Sequence, residues 1–77
     1  MIETMIAIEK QAFALRPNDV IVERGRGQAL RIVGCVSTVA VHSTQVRVSG
    51  GTHSRGTMSL RLRRNKIVLV RGWEIRP

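Results

Sequence analysis

Met58, Leu60 and Leu62 alternate with Ser59, Arg61 and Arg63 in a run that ends at Arg64-Asn65, and Ile67-Val68-Leu69-Val70 follows the break. Strict alternation is the pattern of a strand with one buried and one wet face. It does not suit a helix, where residues two apart point to different sides. Asn tolerates positive φ, so Arg64-Asn65 predicts a two-residue turn and residues 57–72 a β-hairpin. That register pairs Leu62 with Ile67 and Leu60 with Leu69 on an inner face. The outer face receives Arg63 with Lys66, Arg61 with Val68, and Ser59 with Val70. Two cations then stand opposite each other, a repulsion relieved by an external anion or by ordinary screening.

Segments of the same kind recur upstream. Pro17-Asn18-Asp19 reads as a turn, since Pro presets φ and Asn and Asp can bond their own backbone. Val20-Ile21-Val22-Glu23-Arg24 follows as a strand, and Gly25-Arg26-Gly27 ends it. A longer strand runs from Gln28 to Val36. Its apolar parity slips between Leu30/Ile32 and Val33/Cys35, and Gly34 sits at the slip, which predicts a bulge or sharp bend. Val39-Ala40-Val41 continues or restarts that strand. His42-Ser43-Thr44 is a polar turn, and residues 45–49 form the next strand with Val46 and Val48 inward. Residues 50–56, Gly-Gly-Thr-His-Ser-Arg-Gly, predict a mobile loop. Trp73 and Ile75 are expected to dock on the core.

Residues 1–15 carry two signals. Met1, Met5, Ile8, Ala12 and Leu15 are spaced for one side of a helix. Ile6, Ile8 and Lys10 fit a strand, and Ile is β-branched. The β character of the remainder favours a strand over residues 4–10 with a turn through residues 13–16; the helix is the alternative. The fold expected is all-β, one domain of 77 residues forming a small five- or six-stranded barrel.

Composition then bounds the function. Thirteen Lys and Arg oppose five Asp and Glu, a formal net charge of +8. This selects an acidic partner: nucleic acid, an anionic membrane surface or an acidic protein. Arg dominates, and its planar fork suits phosphate, although an Arg-, Ala-, Gly- and Val-rich composition also follows from a GC-rich genome. The single cysteine, Cys35, excludes an intrachain disulfide, reads as a small core residue and fits a reducing cytoplasm. No apolar run nears the ~20 residues of a membrane helix, and the first ten residues do not resemble a signal peptide.

Leu15-Arg16-Pro17-Asn18-Asp19-Val20-Ile21-Val22, followed by Gly25, resembles the opening of small SH3-like barrels, including KOW-type modules. Asp19, Val20, Val22 and Gly25 carry the resemblance, while Asn18 stands where those modules usually have Gly. It covers about a third of the chain. The resemblance implies an SH3-like barrel and association with RNA, DNA or ribosomal partners.

The surface expected to meet phosphate comprises Arg24, Arg26, Arg47, Arg55, Arg61, Arg63, Arg64 and Lys66. Residues 50–56 could cradle a phosphate with backbone N–H groups, Thr52, Ser54, His53 and Arg55; a plain solvated hairpin loop needs no ligand and is the favoured reading of them. His42, His53 and Cys35 are too few and too scattered for structural zinc. No nucleophile–base–acid spacing or carboxylate pair is evident, so neither a metal, a cofactor nor catalysis is expected. With the hairpin register above, Val68 and Val70 lie on the outer face, predicting self-association into a homo-oligomer. Two function classes follow. One is a basic barrel that binds nucleic acid through phosphate contacts. The other is a small phage or mobile-element interaction module that docks on an acidic or apolar protein surface, or on itself.

Overall fold

The computed structural model describes residues 1–52 and 54–77. Six strands form one antiparallel sheet: β1 (Ile2–Gln11), β2 (Val20–Arg24), β3 (Leu30–Val41), β4 (Gln45–Thr52), β5 (Thr57–Arg63) and β6 (Ile67–Arg76). The spatial order is β1-β6-β2-β3-β4-β5. All-β architecture is thus established. β1 and β5 are the two ends of the sheet and are not paired with each other, so the sheet is open rather than a closed barrel. Among the described residues no helix is long and apolar enough to cross a membrane.

The N-terminal segment is a strand. Ten residue pairs join β1 to β6, from Ile2 opposite Arg76 to Gln11 opposite Ile67. A short 3₁₀ turn, Ala12–Ala14, follows, and Ala12 and Leu15 are buried in the core. The turn at residues 16–19 forms as its residues dictate. Asn18 takes φ 76°, and the Asp19 carboxylate accepts the Arg16 N–H at 2.9 Å. Lys10 reaches the same carboxylate at 3.0 Å.

The long strand predicted from Gln28 is β3, and it runs unbroken through Val41. The Gly34 slip is a bulge: Ile21 pairs with Gly34 and Val22 with Ile32, leaving Val33 extra. A second shift lies between Val36 and Thr38. Val46 and Val48 point inward and, like Val36, are fully buried, packed in one core with Ile21, Met58 and Val70.

The hairpin at residues 57–72 is corrected. Its turn exists, with the Lys66 N–H donating to the Arg63 carbonyl at 3.0 Å. The strands on either side then part: β5 pairs with β4, and β6 with β1 and β2. The carbonyls of Arg64 and Lys66 accept the Phe13 and Ala12 N–H groups at 3.1 and 2.8 Å, so the segment after β1 occupies that turn. Val70 is 2% exposed and Val68 packs on the core, while Ile67 is 49% exposed. Val68 and Val70 are therefore core residues, not a self-association surface. Four consecutive apolar residues carry no parity signal, and pairing with β1 chose the other face. Gly72 fixes that choice: it is buried, and the Ile8 side chain occupies the space a Cβ would need.

Three further expectations are overturned. Trp73 and Ile75 are exposed, at 53% and 59%, because β6 outruns the core; its pairing with β2 is confined to Ile21 and Val70. Cys35 is exposed, lying one residue from the inward Gly34 and Val36. Gly50, Gly51 and Thr52 belong to β4 rather than to a loop. Gly50 sits where a Cβ would run into the Cys35 carbonyl, so close backbone approach, not mobility, is what that glycine provides.

Candidate nucleic-acid interface

The β4–β5 ladder aligns Val46 with Leu62, Val48 with Leu60 and Gly50 with Met58 on the inner face. The alternate rungs must then point outward. They are Gln45 with Arg63, Arg47 with Arg61, Ser49 with Ser59 and Gly51 with Thr57. β3 adds Thr38 and Ala40 beside Ser49 and Arg47. The outer face of β3–β4–β5 is thus a polar floor of hydroxyls and small residues next to guanidinium groups. Thr38, Ala40, Arg47, Val48, Ser49 and Ser59 line a shallow trough of about 290 Å³ there. The Thr38 and Ser49 hydroxyls bond to each other.

The Arg47–Arg61 rung sets two like charges directly opposite, an arrangement that costs stability unless something negative lies between or near them. No neutralising side chain is supplied. Among the described residues the ion pairs are Lys10–Asp19, Arg31–Glu23 and Arg76–Glu74. None of the eight cations named from the sequence takes part in one. Asp and Glu occur only at positions 3, 9, 19, 23 and 74, so residues 24–73 contain no carboxylate side chain at all. That acid-free stretch, legible in the sequence once sought, is the signal that marks β3, β4, β5 and the first seven residues of β6 as the part of the sheet with no acid of its own.

The eight cations form more than one group. Arg47, Arg61 and Arg63 share the outer face of β4 and β5. Arg64 and Lys66 sit in the turn that leaves β5, with the Arg64 guanidinium 5.9 Å from the Phe13 ring centre. Arg24 and Arg26 lie at the far end of the β2–β3 hairpin, where Gly27 and Gln28 both take positive φ, 69° and 67°. Arg55, at φ 67°, is in the β4–β5 loop, closed by the Gly56 N–H on the Thr52 hydroxyl at 2.9 Å. His53, part of the phosphate cradle expected at residues 50–56, lies outside the described residues.

Sequence reasoning missed Arg71. It is half-buried on the outer side of β6, 5.3 Å from the Trp73 ring centre, and no acid pairs with it among the described residues. It borders a second hollow of about 300 Å³ with Val20, Ile32, Gly34, Cys35, Gly51 and Thr52. Among the described residues no three His, Cys, Asp or Glu side chains gather as metal ligands. Compared with protein-family models, with curated proteins and with solved structures, the chain finds no match.

Proposed function

We propose that this chain is a non-catalytic nucleic-acid-binding domain that holds the phosphate backbone on the outer face of β3–β4–β5. The observation that carries this reading is the Arg47–Arg61 rung: two guanidinium groups paired across the ladder, flanked by Ser49, Ser59 and Thr38, and in no ion pair with a carboxylate among the described residues. Arg forks and hydroxyls are the usual donors to phosphate oxygens. Along β5 the outward residues Arg63, Arg61, Ser59 and Thr57 recur at about 7 Å, two residues of strand rise, which is of the order of the step between neighbouring phosphates on one strand. The aromatic rings, Phe13 and Trp73, lie off that face, on the Ala12–Ala14 turn and on β6. Backbone contact rather than base stacking is therefore the mode.

The resemblance of residues 15–25 to SH3-like, KOW-type modules agrees with this reading. In that view the open sheet is an SH3-like barrel with an unpaired seam between β5 and β1, beside which Ala12 and Phe13 bond the β5–β6 turn. The alternative partner is an acidic protein surface. Fluorescence-anisotropy titrations with labelled duplex DNA and RNA across a salt series test the proposal. Affinity that falls steeply with salt and ignores sequence supports it. Absence of binding at low salt, or partners captured from extract that persist after nuclease treatment, overturns it.

A further inference from the structure

Beyond the β2–β6 bridge at Ile21 and Val70, β1 and β6 continue as a ribbon paired, among the described residues, only with itself. Its rungs on the side opposite Val70 and Gly72 are Glu3 with Ile75, Met5 with Trp73, and Ala7 with Arg71. Trp73 and Ile75 are among the most exposed large apolar residues of the protein, with Met1 and Ile2 at the same tip. Single exposed apolar residues need no explanation, but a cluster containing the sole tryptophan does.

Charge identifies the occupant. Strand residues 2–7 and 71–76 hold Glu3, Glu74, Arg71 and Arg76, which sum to zero, so the whole excess of +8 lies elsewhere. Residues 24–70 hold nine cations and no acid, so two copies of this chain repel each other through the surfaces that segment forms and can meet without repulsion at the ribbon. The rung order is also self-complementary. A two-fold axis through the Met5–Trp73 rung lays the Glu3–Ile75 rung of one copy over the Ala7–Arg71 rung of the other. Neither Glu3 nor Arg71 is in an ion pair among the described residues. Met5, Ile6 and Ala7 also line, with Arg24, Gln28, Ala29 and Leu30, a groove of about 410 Å³.

We infer that the β1–β6 ribbon is a homodimer interface, isologous about Met5 and Trp73, with Glu3 of each copy paired to Arg71 of the other. The dimer leaves both β3–β4–β5 faces outward. This inference does not depend on what those faces bind.

Sedimentation equilibrium over a wide concentration range, in 0.15 M and 1 M NaCl (roughly the physiological Debye length and its near abolition), is the test, with Trp73 emission followed in parallel. The expected result is a monomer–dimer equilibrium that survives high salt, with emission moving to shorter wavelength as dimer forms. Ile75→Lys should abolish both, with unchanged circular dichroism. Glu3→Arg and Arg71→Glu should each weaken dimerisation by roughly tenfold or more, and the double exchange should restore it. A clean monomer at every concentration overturns the inference. So does dimerisation indifferent to Ile75→Lys, or a tryptophan shift produced only by anionic vesicles, which would assign the ribbon to a lipid surface.

Discussion

Arg47 on β4 and Arg61 on β5 stand directly opposite each other on the outer face, and no carboxylate lies within ion-pair distance of either among the described residues. A rung chosen for stability alone would not place two cations there. Replacing Arg61 with Thr removes the repulsion and adds a residue that favours strands, so the free domain should gain about 0.5 kcal/mol at low salt. Urea titration should show a higher midpoint with an unchanged slope, and the gain should shrink as salt screens the wild-type pair. The same substitution should weaken nucleic-acid binding. A variant that loses stability would show that the arginines pack rather than repel.

Val70 and Ile67 distinguish the observed arrangement from a simple β5–β6 hairpin. Val70 is in the core and Ile67 is half in water. Val70→Ala should cost about 2 kcal/mol, through lost burial and the cavity left behind. Ile67→Ala should cost no more than about 0.5 kcal/mol. A β5–β6 pairing with Ile67 inward would reverse that order, so denaturant melts of the two variants decide between them.

The same two residues show where the sequence stops being informative. Met58, Leu60 and Leu62 declare their face because polar residues separate them, and so do Val46 and Val48. The bulge at Val33 was legible because Gly34 interrupts a parity that shifts around it. Residues 67–70 are apolar throughout, so their face depends on which strand they pair with, and strand partnership is a long-range property. The partner, β1, was itself ambiguous because its apolar residues satisfy helical spacing as well as alternation. Trp73 illustrates a different limit: its size argued for the core, but the strand carrying it extends past the core's edge. For the candidate interface, the cations were legible and their division into groups was not. That division follows from which turns lie at which end of the sheet.

Gly50 and Gly51 are neighbours in sequence with opposite surroundings. A Cβ on Gly50 would collide with the Cys35 carbonyl, a backbone atom held by the β3–β4 ladder. On Gly51 its nearest neighbour would be the Gly56 carbonyl oxygen at 3.9 Å, ordinary contact. Gly50→Ala should therefore destabilise by about 3 kcal/mol or more, whereas Gly51→Ala should stay within about 0.5 kcal/mol of wild type. Thermal unfolding followed by circular dichroism measures both. Equal tolerance at the two positions would mean that β3 and β4 are not in the register described.

Asp19 ties the start of β2 to β1. Its carboxylate accepts the Arg16 N–H and meets Lys10, while its backbone carbonyl accepts the Val36 N–H at 2.8 Å. The pair is partly shielded, so Asp19→Ala should cost about 1–2 kcal/mol, mostly through the lost bond to the backbone N–H. Lys10→Met keeps that bond and the apolar stem and should cost less than about 1 kcal/mol. If the two variants are equally destabilised in urea, the ion pair rather than the turn is what Asp19 contributes.

The separation of the cationic groups makes binding depend on ligand length. Arg24 pairs with Leu30 and Arg47 with Ala40, ten residues apart along β3. At roughly 3.3 Å per residue the two groups are about 30 Å apart along the strand, less where its bulges bend it. A duplex advances about 3.4 Å per base pair, so one of six base pairs reaches only one group, and one of twenty can reach both. On the short duplex, replacing Arg24 and Arg26 with Gln should change affinity little, while replacing Arg47, Arg61 and Arg63 should abolish measurable binding. On the long duplex each set should lower the slope of log K against log salt by nearly one for every arginine removed that contacts phosphate. Equal loss from the Arg24/Arg26 pair on both lengths would place the duplex along the β2–β3 hairpin instead, and would displace the β4–β5 face from the centre of the proposed surface.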